Sequence, residues 1–286
     1  MTAHAASSKE VWPFVTLPFF ESYAAHIRAA SQVEVLMVAN LVKEEERTIY
    51  LNYTGANYET WVTESHEFST ENVDEFSPTG YANYIRRLSL DEWIPDVPRA
   101  DYWSTWQLTP PPYNYELINW NVASNVDLAA LIKAGTLLKN ETLYSRISAL
   151  DYLSAKDHDT LHNARPTPHA YVSRVIHDQV GNDDSPVVAV VTGGMAWDVA
   201  LKDVLQDQQT GVRVVIRNTC NQNYTYEING PTVDFVGEGD LHEIFYNRME
   251  VVVNLSTSNR TEVVETVGHC LYSMVRACNR EVWCAC

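Results

Sequence analysis

Four short stretches hold residue types that could do chemistry. His158 and His162 stand four apart with Asp157 and Asp159 beside them, a spacing that on a helix aims two imidazoles at one metal ion. No Glu completes an H-E-x-x-H arrangement and the segment is a poor helix former, so a solvated loop is the plainer reading. Asp240, His242 and Glu243 form a second carboxylate–imidazole group, in which Asp240 can equally cap a following helix. Gly193-Gly194 lies between an apolar run and a helical pattern, where backbone N–H groups could meet a phosphate. The G-x-G-x-x-G spacing is missing, and a tight turn explains the pair. His269 next to Cys270 is not a catalytic pair by adjacency, because such pairs meet in space. The chain has no phosphate loop, no G-x-S-x-G elbow and no C-x-x-C pair, so no enzyme, metal or cofactor is expected.

The elements around these stretches fall into a pattern. Val187 to Val191 reads as a strand buried on both faces, broken by Thr192-Gly193-Gly194, with a helical spacing from Met195 to Asp207. Val212 to Arg217, Tyr224 to Ile228 and Thr232 to Val236 follow as strands, separated by short turns such as Asn229-Gly230-Pro231. Connections this short predict an antiparallel α+β sheet of PAS or Cache type.

Before the sheet, Phe19 to Glu46 is expected as one long helix, with Tyr23, Ile27, Ala30, Met37 and Leu41 on one side. A second helix carries Ile49, Tyr50, Tyr53, Tyr58, Trp61 and Val62. A short helix is expected around Tyr81 to Leu88, strand-like pieces near Trp93, a helix from Val126 to Ala134 and a strand from His169 to Ile176. The aromatic stretch Arg99 to Asn121, stiffened by Pro110-Pro111-Pro112, is expected as an irregular loop that lines a cleft or lids the core. The expected organisation is a leader at 1–11, a helical segment at 12–66, a sensor domain at 67–277 and a divergent tail at 278–286.

A chain of 286 residues with 45% hydrophobic and 11% aromatic residues buries a core. The formal net charge of −17, from 37 acidic and 20 basic residues, argues against nucleic acid and anionic lipid as partners. No run reaches the ~18 apolar residues of a membrane span, and the start lacks the apolar centre of a signal peptide. Sequons at Asn52, Asn140, Asn223, Asn254 and Asn259 are candidate glycosylation sites. The 5 cysteines, Cys220, Cys270, Cys278, Cys284 and Cys286, are read as buried thiols or as disulfide partners, with at least one left over.

Several pieces together resemble the extracellular sensor region of receptor-type nucleotide (guanylate or adenylate) cyclases of unicellular algae. They are Trp12 to Glu21, Trp106-Gln107 with its Pro-rich loop, Val187 to Trp197, Asn218-Thr219-Cys220, Tyr226 to Pro231, Gly237 to His242, and Cys270-Leu271-Tyr272 with Val275-Arg276. The resemblance implies a Cache- or CHASE-like fold outside a membrane, a small-molecule stimulus, and Cys220 paired with Cys270, as suits oxidising surroundings. The cyclase domain and both membrane helices of that family lie outside this chain, and taken alone the chain would be cytosolic. The expected ligand site has Trp103 and Trp106 as apolar walls and Arg99, Tyr102 and Asp198 as polar contacts. The alternative is a dimerisation or interaction module, a homodimer through the N-terminal helix, with no small-molecule ligand.

Overall fold

The computed structural model describes residues 11–69, 79–89, 92–112, 115–139, 141–149, 168–179, 181–202, 210–241, 251–254 and 272–277. Over these residues the protein is α+β, with antiparallel pairing in its sheets and few helices. In chain order the helices are α1 (Phe20–Ser31), α2 (Arg47–Phe68), α3 (Val126–Leu138) and α4 (Trp197–Leu201). The strands are β1 (Val35–Lys43), β2 (Arg86–Ser89), β3 (Glu92–Pro95), β4 (Asp101–Thr109), β5 (Leu143–Ala149), β6 (Pro168–His177), β7 (Val187–Ala196), β8 (Val212–Asn218), β9 (Gln222–Asn229), β10 (Thr232–Glu238), β11 (Val251–Asn254) and β12 (Tyr272–Ala277). One five-stranded sheet has the order β4-β1-β7-β6-β5, another β10-β9-β8-β12-β11, and β2 and β3 pair alone. The chain divides into unit 1 (Met1–Tyr23, Met37–Ser124, Val175–Val191) and unit 2 (Ala24–Leu36, Asn125–Arg174, Thr192–Cys286).

The expected long helix from Phe19 to Glu46 is instead a helix, a strand and a 3-10 turn at Glu44–Glu46. It stops at Ser31, where Gln32 takes a φ of 53°, a left-handed stop without a glycine. The apolar run that follows extends into β1, where nearly every residue is buried, as in a strand covered on both faces. The second expected helix is present as α2, and its buried Tyr50, Thr54, Trp61 and Ser65, spaced four, seven and four residues apart, lie along one stripe. The short helix expected at Tyr81 to Leu88 gives way to β2, which pairs with β3 antiparallel from Arg86 opposite Pro95 to Ser89 opposite Glu92.

The aromatic stretch from Arg99 is not an irregular loop. Residues 101–109 form β4, buried from Tyr102 to Thr109, because aromatic and β-branched side chains fit a covered pleated surface. In unit 1, Val42, Tyr50, Ile85 and Tyr102 make one apolar cluster, with Phe14 and Leu51 against it. Trp106 is fully buried and packs against Tyr53 (centroids 5.6 Å apart) and Trp61 (5.8 Å).

In unit 2 the three expected strands form the antiparallel meander β8-β9-β10, and β12 flanks β8 on the other side. The strand at Val187 is not part of that sheet, and Thr192-Gly193-Gly194 does not break it: β7 runs on to Ala196. Gly193 is there for a close approach, since a Cβ at that position would meet Val33 Cγ1 at 2.5 Å and the Val35 carbonyl at 2.9 Å. Val212, Val214 and Ile216 of β8 and Tyr226 and Ile228 of β9 pack with Trp197 and Leu201 of α4 in the unit 2 core. The helix expected from Met195 is α4, as far as it is described. The strand expected from His169 is β6, and α3 begins at the cap Asn125, whose side chain accepts from the Asp127 and Leu128 N–H groups. Residues 1–10 of the expected leader and the tail at 278–286 lie outside the described residues.

Candidate functional site

Alternation along β4 separates the two tryptophans expected to share one cleft. Tyr102, Ser104 and Trp106 take one face of the strand and Trp103 the other. Two walls of one pocket cannot come from opposite faces of a regular strand. Trp106 is moreover a core residue, its Nε1 donating to Thr16 Oγ1 at 3.1 Å. Asp198 belongs to unit 2, on α4, where its carboxylate accepts from the Val199 N–H at 3.0 Å.

Arg99, Tyr102 and Trp103 do meet in one hydrogen-bonded chain. The Tyr102 hydroxyl donates to Glu44 Oε2 at 2.7 Å and accepts from the Arg99 N–H at 3.1 Å. The Arg99 guanidinium donates to Asp96 Oδ2 through Nε at 3.0 Å. Asp96 also accepts from Asn121 Nδ2 at 2.6 Å, and Asn121 Oδ1 accepts from the Trp103 N–H at 2.9 Å. Burial, and next the Glu44 carboxylate, push the Tyr102 phenol up, so it stays a donor at neutral pH. Each of these groups is satisfied by another, so the chain holds the start of β4 in place.

The groups with polar capacity left over lie elsewhere in unit 1. Asn40 of β1, Tyr50 of α2 and Ser104 of β4 are all fully buried. Asn40 uses its Nδ2 on the Pro13 carbonyl at 2.9 Å, leaving Oδ1 without a donor. Tyr50 Oη and Ser104 Oγ have no partner beyond one another and Asn40. Burial pushes the Tyr50 phenol well above its ordinary range, while hydrogen bonding from Ser104 and Asn40 beside it acts in the opposite sense. A phenol, a hydroxyl and an amide carbonyl thus adjoin one another, all neutral. They form no nucleophile–base pair, and what they offer chemically is recognition of a polar group without charge.

Arg86 of β2 is the second such place. It is 2% exposed, its Nη2 donates to the Gly80 carbonyl at 2.7 Å, and its Nε has no acceptor. Its guanidinium carbon lies 5.9 Å from the Tyr84 ring centroid and 5.8 Å from that of Trp93. Burial lowers its pKa, opposed by Tyr84, Glu116 and Tyr81. In the sequence Arg86 is only one of two adjacent arginines, and nothing marks it as the buried one. Asn40 carries a weak signal, as the single polar residue between Val35 and Val42.

The other candidates are placed as follows. Asp240 accepts from Arg217 Nη2. His158, His162, His242, Glu243, His269, Cys270, Cys278, Cys284, Cys286, Asn140 and Asn259 lie outside the described residues. Cys220, just after β8, is disulfide-bonded. Asn52 is exposed on α2, Asn223 is half-buried on β9, and Asn254 ends β11. Among the described residues no three His, Cys, Asp or Glu side chains gather as a metal site, and no helix is long and apolar enough to cross a membrane.

No known family's model matches the chain, and no curated protein matches it as a relative.

Proposed function

We propose that this chain is the extracellular ligand-sensing module of a receptor-type, cyclase-like signalling protein. In this reading it has a PAS- or Cache-like fold, binds a small molecule and passes a conformational signal through its terminal elements. It is not the catalytic part of that protein. One observation carries the reading: Asn40, Tyr50 and Ser104, from three different elements, are buried together, and Asn40 Oδ1 has no donor. Native cores seldom leave such atoms unsatisfied, and a bound molecule that pairs with them recovers their desolvation cost. Trp103 and Trp106 do not enter this version of the site. The oxidised state of Cys220 supports surroundings outside the cytosol, with Cys270 the partner by resemblance.

A second reading, a homodimerisation module, is favoured by an apolar stripe at the N-terminal helix. Phe19, Tyr23 and Ile27 recur every four residues and are 49%, 70% and 55% exposed. Thermal melting of the full chain against pooled metabolites separates the two. A ligand of the folded state raises the midpoint. A midpoint that no compound moves, together with a concentration-dependent sedimentation coefficient, selects the dimerisation module.

A further inference from the structure

We propose that Arg86 is the anion-recognising residue of unit 1 and that it takes the carboxylate of a small, compact monocarboxylate. The inference rests on the sensing reading and names the chemical class of its ligand.

Six arginines of the described residues face a carboxylate. Arg47, Arg146, Arg213 and Arg217, all partly exposed, each face a carboxylate: Glu44, Asp127, Glu227 and Asp240. Arg87 and Arg99 share Asp96. Arg86 is buried, yet among the described residues no carboxylate forms an ion pair with it. This inverts the expected order, because burial makes an uncompensated charge most costly. A guanidinium cannot escape by losing its proton, as a lysine or histidine can. The faces of Tyr84 and Trp93 offset part of the cost, and one carbonyl uses part of its donor fork. The unsatisfied Nε remains.

The position is also rigid. The Arg86 N–H donates to the Asn119 carbonyl and its carbonyl accepts from the Asn121 N–H, both at 2.9 Å, so its backbone is bracketed from both sides. A planar carboxylate matches the guanidinium fork better than any other common anion of its size. Trp93, with Trp120 edge-on at 6.1 Å, and Tyr84, 37% exposed, give the body of such a molecule an aromatic surface. Glu116 contributes negative potential at Arg86, which disfavours ligands with more than one negative charge.

The test is thermal melting and calorimetric titration of the full chain with formate, propionate and benzoate. Propionamide and benzamide serve as uncharged controls, and sodium chloride holds the ionic strength equal. The expected result is a raised midpoint with at least one carboxylate and none with its amide. In Arg86→Lys the affinity falls tenfold or more. In Arg86→Met the response is lost, while the ligand-free midpoint stays level or rises, since a buried charge has been removed. Carboxylates that do no better than chloride, or a response that survives in Arg86→Met, overturn the proposal. If Arg86→Met does not fold, the carboxylate-to-amide comparison on the unmodified chain decides alone. A neutral compound that raises the midpoint while no carboxylate does overturns this inference and leaves the sensing reading standing. Silence from every compound class removes both.

Discussion

The guanidinium carbon of Arg86 lies 5.8 Å from the centroid of the Trp93 ring, and the two residues belong to the paired strands β2 and β3. Among the described residues no carboxylate forms an ion pair with this cation, and Glu116 reaches it only as a negative potential. Arg86 and the neutral group at Asn40, Tyr50 and Ser104 all belong to unit 1.

Removing the Tyr50 hydroxyl separates stability from binding. Because Oη meets only Ser104 and Asn40 in strained geometry, Tyr50→Phe is expected to change the ligand-free stability by less than about 1 kcal/mol. The same change should reduce the midpoint rise given by whichever compound stabilises the unmodified chain. Chemical denaturation and melting in parallel measure both. A large loss of stability in the ligand-free variant would mean the hydroxyl is already satisfied.

Trp106 behaves as core. It is fully buried between Tyr53 and Trp61, so Trp106→Ala should cost about 3–5 kcal/mol in urea unfolding. A variant of near-native stability would return Trp106 to the wall of an open cleft.

Gly193→Ala should destabilise by about 1–3 kcal/mol, because the new methyl has nowhere to go against Val33 Cγ1 and the Val35 carbonyl. Native-like stability in this variant would mean that these neighbours yield to the methyl.

Burial lowers the pKa of His66 and outweighs the hydrogen bond to the Pro112 carbonyl, which raises it. The folded state therefore binds a proton less readily than the unfolded chain. Its contribution to stability is fully present above the unfolded value of about 6.5 and is lost as pH falls through the lower folded value. His66→Gln should flatten the stability profile on that acid side. An unchanged slope below pH 6.5 would mean that another group governs it.

Much of the fold was legible in the sequence. The β-branched runs and the Asn229-Gly230 turn marked the meander β8-β9-β10, and the spacing of Tyr50, Trp61 and their neighbours marked α2. What failed did so for identifiable reasons. The break between α1 and β1 falls at Gln32, whose left-handed conformation no glycine announces. The prolines after the aromatic run at Tyr102 point to a loop, although its own residues favour a strand. The site was the least legible part. Its residues are single polar side chains inside apolar elements, and only the tertiary structure tells which of them stay unpaired.

The most direct test of the account is hydrogen exchange on the full chain, with and without the small molecule that raises its melting midpoint most. Slowed exchange concentrated in α2 (Arg47–Phe68) and β4 (Asp101–Thr109) is the predicted result. Protection that leaves both elements untouched would contradict a ligand site at Asn40, Tyr50 and Ser104.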